Sequence, residues 1–284
     1  MKSFDLPVLY EDEDLLVINK PAGVVVNRAD TYQGWTVQDW LEERFGDGGE
    51  SGEVSEQAAA RDWEKLVPED FNAQYGSPEE IFKNRLGMVH RLDKDTSGVL
   101  LLAKNPGALV NLLAQFKNRQ VQKKYLCLVH GKFMLERGVV LLPVGRRPDN
   151  RRLFGVVPGG RPAATEYQVL KYYPHFNEDL LPEAASQNRR LSLYQGFSLV
   201  ECLPKTGRTH QIRVHLQHLQ HPIVGDSVYV GKKRAKLDAL WCPRQFLHAS
   251  SLTFTHPRSQ KQLTVQAELL PDLKDVLKFV SESA

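Results

Sequence analysis

The run Val99-Leu100-Leu101-Leu102-Ala103 carries no polar side chain, so it reads as a buried strand around which the rest of a sheet has to be arranged. Immediately before it stand His90, Arg91, Asp93, Lys94 and Asp95. This junction sets a dense group of charges directly against the core. A carboxylate held there is desolvated and needs a cationic or hydrogen-bonding partner to stay ionised. Candidate partners lie downstream, in Lys205-Thr206-Gly207-Arg208-Thr209-His210-Gln211-Ile212-Arg213-Val214-His215.

Around that junction the pattern alternates irregularly between strands and helices. Val8 to Lys20 reads as a strand, an acidic turn at Glu11 to Asp14 and a second strand, closed by Pro21 and Gly23. Thr36 to Phe45 has Val37, Trp40 and Leu41 at helical spacing, and Ala108 to Lys117 and Pro271 to Val280 are further expected helices. Tyr125 to His130, Phe197 to Leu203, Phe246 to Phe254 and Gln262 to Glu268 read as strands. The basic stretch Gly145 to Pro162, with Arg146, Arg147, Arg151, Arg152 and Arg161, reads as a loop. Gly46 to Glu56 is rich in Gly, Ser and Glu and reads as a mobile loop, with the whole segment of about 46 to 84 an acidic insertion. Strands and helices without a regular βαβ alternation favour an α+β fold on a mixed, largely antiparallel sheet.

A chain of 284 residues, 42% of them hydrophobic, can bury a substantial core as one large domain or two small ones. No stretch approaches the roughly 20 apolar residues of a membrane span. Asp5, Glu11 and Asp12 stand where a signal peptide would be basic and then apolar, so the expected compartment is the cytoplasm, with no membrane partner. Cys127, Cys202 and Cys242 form no Cys-x-x-Cys pair and are expected to be buried thiols. Residues 1–84 hold 7 Lys/Arg against 19 Asp/Glu and residues 85–284 hold 30 against 15, so the two parts carry about −12 and +15. A polyanion partner for the basic part would explain the division, and so would mutual neutralisation of the two parts.

On residue type alone, Asp93 is a nucleophile or base that needs neither metal nor cofactor, and Asp95 competes for that role. Asp93 capping a turn, or pairing with a nearby lysine, is the structural alternative. His210, His215, His218 and His221, with Asp226 nearby, invite a metal reading, but the spacing is not His-Glu-x-x-His and no cysteine accompanies it; no metal is expected.

Asn19-Lys20-Pro21-Ala22-Gly23, His90-Arg91-Leu92-Asp93 and the segment from Lys205 to His215 stand in the order and at the spacing of the motifs of RluA-type RNA pseudouridine synthases. The chain resembles that family from Val8 to its final helix, apart from the acidic insertion. The resemblance implies a single catalytic domain over 1–284 with the pseudouridine synthase fold. It also implies no small S4 RNA-binding domain ahead of it, no cofactor, a monomer, and ribosomal or transfer RNA as partner. It makes Asp93 the catalytic carboxylate, acting at the ribose of a uridine that has left its stack, by attack at C1′ or removal of the 2′ proton. Arg91 resembles the arginine that fills the vacated place in the RNA, and a local ion pair is its plain alternative. Tyr125 matches the tyrosine that packs against the base; read without the family it is equally the half-buried first residue of a strand. Arg213 matches the arginine that pairs with the catalytic aspartate, Ile212 lines the base pocket, and Lys20 gives structural support or is an ordinary solvated lysine. Lys123, Lys124, Arg151, Arg152 and Arg208 are the expected RNA-binding cations.

Two departures from the family stand out, Val26-Asn27 in place of Val-His and Val230 between Tyr229 and Gly231. Besides an RNA pseudouridine synthase, two readings remain open: a catalytically inactive RNA-binding or RNA-chaperone protein on the same fold, and a metal-dependent hydrolase using the histidines.

Overall fold

The computed structural model describes residues 6–29, 32–45 and 62–282, and the expected loop Gly46 to Glu56 lies outside them. The chain forms two compact units, one made by the N-terminal part to Gln122 with Ser251–Ala267, the other by Lys123–Ser250 and the segment from Glu268.

In the first unit β1 (Val8–Glu11) pairs antiparallel with β2 (Leu15–Lys20), which pairs antiparallel with β3 (Ser97–Ala103). Every residue of β3 is buried, as its apolar composition requires. Val99 and the three leucines after it are at most 1% exposed, each worth about 1.5–3 kcal/mol of burial. The far end of β11 (Leu247–Thr255) and β12 (Gln262–Gln266) complete the strands, paired antiparallel from Ser251↔Gln266 to Thr255↔Gln262. Helices α1 (Val37–Phe45), α2 (Pro78–Arg85) and α3 (Pro106–Lys117) belong to the same unit. α2 opens with a capping box between Ser77 and Glu80, and α3 with Asn105 accepting from the Ala108 N–H. The core joins Leu15 and Val17 of β2, Leu101 of β3, Leu109 and Leu112 of α3, and Leu252, Phe254 and Val265.

The described remainder of the segment expected to be an insertion, from residue 62 onward, contains 3-10 turns at Trp63–Leu66 and Ala73–Tyr75 as well as α2. Leu66 is buried in the unit's core and its carbonyl accepts from Asn111 Nδ2 at 3.0 Å. The acidic turn forms where expected. Asp12 Oδ1 accepts from the N–H groups of Asp14 and Leu15, and the buried Asp14 takes both Arg258 Nε and Nη2, at 2.7 and 2.8 Å. Part of the N-terminal negative charge is therefore neutralised inside this unit.

In the second unit the order is the leading end of β11, then β4 (Gln122–His130), β10 (Phe197–Pro204), β8 (Ala164–Tyr173) and β5 (Arg137–Leu141). β10 pairs antiparallel with both β4 and β8, and β5 with β8. Two small ribbons join β6 (Val144–Arg146) to β7 (Phe154–Val156) and β9 (His175–Phe176) to β13 (Val280–Ser281). The helices are α4 (Glu183–Ser186), α5 (Gln211–His218), α6 (Lys232–Asp238) and α7 (Pro271–Lys278). Phe197, Trp241, Phe246, Leu273 and Val276 lie in its core, as do all three cysteines, buried free thiols as expected.

The fold is α+β with a mostly antiparallel sheet, as the irregular alternation predicts. The stretch Gly145 to Pro162 departs from its expectation as a loop, because β6 and β7 form a hairpin there. Each strand has three residues and no alternation to mark it, and tertiary packing of Val144, Phe154 and Val156 with Val214 holds the ribbon instead. Among the described residues, no helix is long and apolar enough to cross a membrane.

Gly87, just ahead of the charged segment, has φ +75°, and a Cβ there would fall 2.1 Å from the Ala103 carbonyl oxygen. Its own carbonyl accepts from the Ala103 N–H at 2.8 Å. Gly87→Ala is expected to destabilise the protein by at least about 2 kcal/mol, read as a lowered urea midpoint at unchanged slope.

Candidate active site

The charged segment is pinned at both ends. His90 Nε2 accepts the backbone N–H of Leu101 at 3.0 Å, which leaves the ring proton to Nδ1, and the ring stacks on Phe116 of α3 with centroids 5.0 Å apart. Three residues on, the Asp93 carbonyl accepts from Thr96 N–H at 3.1 Å, closing a turn through Lys94 and Asp95. The turn thus precedes Ser97 and Gly98, which already belong to β3, so the strand begins two residues before the apolar run at Val99. Asp93 is half-buried, whereas Arg91 and Asp95 are exposed. Of the two carboxylates, Asp93 is the one held against the core.

Lys20 is not a solvated lysine. Its side chain is fully buried, and Nζ donates to the carbonyls of Pro21, Val24 and Lys94 at 2.8, 2.9 and 3.0 Å. The Lys94 carbonyl also accepts from Gly23 N–H at 2.9 Å. One ammonium thereby ties the turn after β2 to the residue that follows Asp93, the structural support expected of it.

In the second unit the motif Lys205 to His215 forms a bend, a left-handed residue at His210 (φ 56°) and then α5. Gln211 organises the entry: its Oε1 accepts from Thr206 Oγ1 at 2.6 Å and Arg208 N–H at 3.0 Å, and its Nε2 donates to Ala164 O and Thr165 Oγ1. Arg208 Nε donates to Pro162 O at 3.2 Å, so this cation is engaged with the loop beside it. Ile212 is buried. Arg213, buried, makes a bidentate pair with the buried Asp226, Nε to Oδ2 at 2.7 Å and Nη2 to Oδ1 at 3.0 Å. Asp226 Oδ1 also accepts from the N–H groups of Val228 and Tyr229. The Arg213 guanidinium lies 4.9 Å from the Tyr229 ring centroid, and the Tyr229 hydroxyl reaches His210 Nδ1 and accepts from Phe154 N–H. These contacts bring the β6–β7 hairpin onto the helix of Arg213.

The structure also sorts the hairpin's arginines. Arg146 stacks on Phe154 and donates to the Arg151 carbonyl, and Arg147 pairs with Asp149. Arg151 and Arg152 stand exposed at the tip. On β4, Lys123 and Tyr125 share one face and are half-buried, while Lys124 is exposed and pairs with Glu201 at 3.1 Å. Lys123 Nζ reaches Thr206 O at 3.4 Å, and burial pushes its pKa down to about 8. His215 is wholly buried, with Nδ1 2.9 Å from Thr165 Oγ1 and Nε2 3.0 Å from Leu142 O; burial lowers its pKa, so the neutral ring suits both contacts.

Sequence reasoning missed Asp226 as the partner of Arg213, naming it beside the histidines of the metal reading. The only sign of it was a carboxylate closing the otherwise apolar Pro222-Ile223-Val224-Gly225 run. Also missed was Asp238, wholly buried at the end of α6, where Oδ2 accepts from His130 Nε2 and Gly225 N–H, each at 2.9 Å, and Oδ1 from Tyr194 Oη at 2.6 Å.

The first unit thus presents a loop-borne aspartate, and the second a half-buried tyrosine and an arginine in a fixed ion pair. The profile of the RNA pseudouridylate synthase family matches residues 14–218. An RNA pseudouridine synthase of Bacillus subtilis is 32% identical over 275 residues, covering 96% of this chain and 72% of the relative. The ribosomal large subunit pseudouridine synthase D of Nitrosomonas europaea is 34% identical over 283 residues, 98% of this chain and 66% of its own length. Among solved structures, human RNA pseudouridylate synthase domain containing 1 superposes with a TM-score of 0.64 at 26% identity, covering 99% of this chain and 91% of that one. The chain belongs to the RNA pseudouridylate synthase family.

Lys20→Met removes the ammonium and strands the carbonyls of Pro21 and Val24, while that of Lys94 keeps its bond from Gly23 N–H, at about 1–3 kcal/mol for each buried unsatisfied group. A loss of at least about 2 kcal/mol is expected in chemical denaturation. A stability change below 1 kcal/mol, on the order of a surface substitution, would contradict the role given to Lys20.

Proposed function

We propose that this protein converts specific uridines of structured RNA, ribosomal or transfer, to pseudouridine, with Asp93 as the catalytic carboxylate. The observation that carries the reading is the anchoring of the Asp93 loop, by Lys20 on one side and His90 on the other, in a chain of this family. The isomerisation breaks N1–C1′ and forms C5–C1′; C5 gives up its proton and N1 gains one, so the base leaves with the atoms it brought and no cofactor or metal is consumed. The target base has to leave its stack for this. Tyr125 offers an aromatic face to it, Ile212 an apolar wall, and Arg213, fixed by Asp226, is the supporting arginine that the family pattern assigns to the catalytic aspartate. Arg91, Lys123, Lys124, Arg151, Arg152 and Arg208 hold phosphates, with Arg151 and Arg152 the most exposed pair of the hairpin. The whole chain acts as one catalytic domain and a monomer in the cytoplasm. Retention of Asp93, Tyr125 and Arg213 supports catalysis over the inactive RNA-binding alternative.

Asp93→Asn keeps the side chain's volume while removing its nucleophile and base. Tritium release from 5-tritiated uridine RNA is expected to vanish, with RNA affinity within about threefold of wild type and Asp95→Asn nearly as active as wild type. Retained turnover in Asp93→Asn would sink the mechanism.

A lysine whose pKa is lowered releases its proton at lower pH than an ordinary lysine, here as pH rises through about 8. If Lys123 holds a phosphate, log affinity for RNA falls above about pH 8 with a slope approaching one per unit, and Lys123→Gln removes that fall. Superimposable pH profiles for the two proteins between about pH 7 and 9 would take Lys123 out of the binding surface.

A further inference from the structure

Helix α6 opens Lys232-Lys233-Arg234-Ala235-Lys236, with the four cationic side chains exposed and no acidic residue in its first turn. Its single carboxylate, Asp238, is turned inward and taken by His130, Tyr194 and the Gly225 N–H. Among the described residues, none of the four cations has a carboxylate within ion-pair distance. Elsewhere on the same unit four exposed lysines are matched, Lys124 with Glu201, Lys205 with Glu166, Lys274 with Glu268 and Lys278 with Asp275, while the exposed Lys132 lies over the Tyr172 ring.

This arrangement works against the helix that carries it. Lys232 and Lys236 are four residues apart on one face, where like charges repel by a few tenths of a kcal/mol. The cations at 232, 233 and 234 stand in the first turn, where the helix dipole disfavours positive charge. The helix persists because Leu237 packs into the unit's core and Asp238 is hydrogen-bonded from three directions. Unmatched cations, kept on a rigid element at some cost to it, have their use in a partner that brings the negative charge. Arg234 has a second engagement, its guanidinium 5.9 Å from the Tyr194 ring centroid, so the three lysines carry the unspent charge. Only two residues, Val230 and Gly231, separate α6 from Tyr229, whose ring lies against Arg213.

We propose that the exposed face of α6, through Lys232, Lys233 and Lys236, is a binding surface for the phosphate backbone of the substrate RNA, engaging nucleotides away from the reacting uridine. The assignment rests on RNA being the substrate. It adds a contact to those at Arg91, the β4 lysines, Arg208 and the hairpin tip. Its contribution is electrostatic and independent of sequence.

The test is filter binding of protein-free ribosomal RNA across a salt series, with wild type, the triple variant K232Q/K233Q/K236Q and the charge-preserving K232R/K233R/K236R. Each lost phosphate contact lowers the slope of log affinity against log salt by about 0.7–0.9. The Gln variant is therefore expected to lose roughly two to three units of slope, and the Arg variant to keep the wild-type slope. Turnover at saturating RNA should be unchanged in both, since none of these residues meets the reacting atoms. A Gln variant with the wild-type slope, or one that loses turnover at saturation while keeping the slope, overturns the assignment and leaves the RNA reading standing. Wild type without salt-dependent RNA binding fails the RNA reading itself.

Discussion

A lysine ammonium sealed from water is expensive, several kcal/mol even after relaxation, and is tolerated only when hydrogen bonds replace its hydration. Lys20 meets that condition with three backbone carbonyls from two chain segments far apart in sequence. The antiparallel register sets Lys20 opposite Gly98, so the end of β2 faces the beginning of β3 where the charged segment enters the sheet. The backbone around Asp93 is thereby fixed by a cation sealed from solvent. His90 does comparable work from the other side by ending the Leu101 N–H in a ring nitrogen instead of a strand. Neither of these two bonds involves the Asp93 side chain, yet together they hold the backbone that presents it.

The part of this arrangement that could be read from the sequence is the part written in adjacent residues. Five apolar residues in a row announce β3, and alternating or helically spaced apolar residues announce β2, β10, β11, α1 and α3. The His-Arg-Leu-Asp junction is local, and so is its resemblance to a family. What could not be read is written across distance or at half-exposed positions. Most residues of β8 are only partly buried, so its ten residues show no clean period. The hairpin strands have three residues each and borrow their stability from Val214 on α5. Lys20 could be placed in a motif, but its burial depends on a carbonyl 74 residues away, and Asp238 meets His130 across 108 residues. Polar groups buried by such partners look, in sequence, like any surface residue.

The second unit answers a different physical demand. Arg213 has to remain charged in a dry place, and a guanidinium left there without a carboxylate costs about 3–5 kcal/mol. Asp226 supplies the carboxylate in bidentate geometry and is itself held by two backbone N–H groups, while the Tyr229 ring lies against the guanidinium. Gly225, with φ +74° and no room for a Cβ beside the Arg244 carbonyl, is the hinge point between the Asp226 pair and the Asp238 hub. A single backbone position thus connects two buried carboxylates.

Asp238 secures α6 from within, and this separates two kinds of evolutionary change. Residues that face inward on that helix are committed to the scaffold, because each substitution there breaks hydrogen bonds or opens a cavity. The outward positions owe nothing to folding. Folding leaves a lineage free to exchange them, so their charge answers to the partner alone, while the carboxylate beneath keeps the helix where it is. The scaffold and its outer surface are free to drift at separate rates.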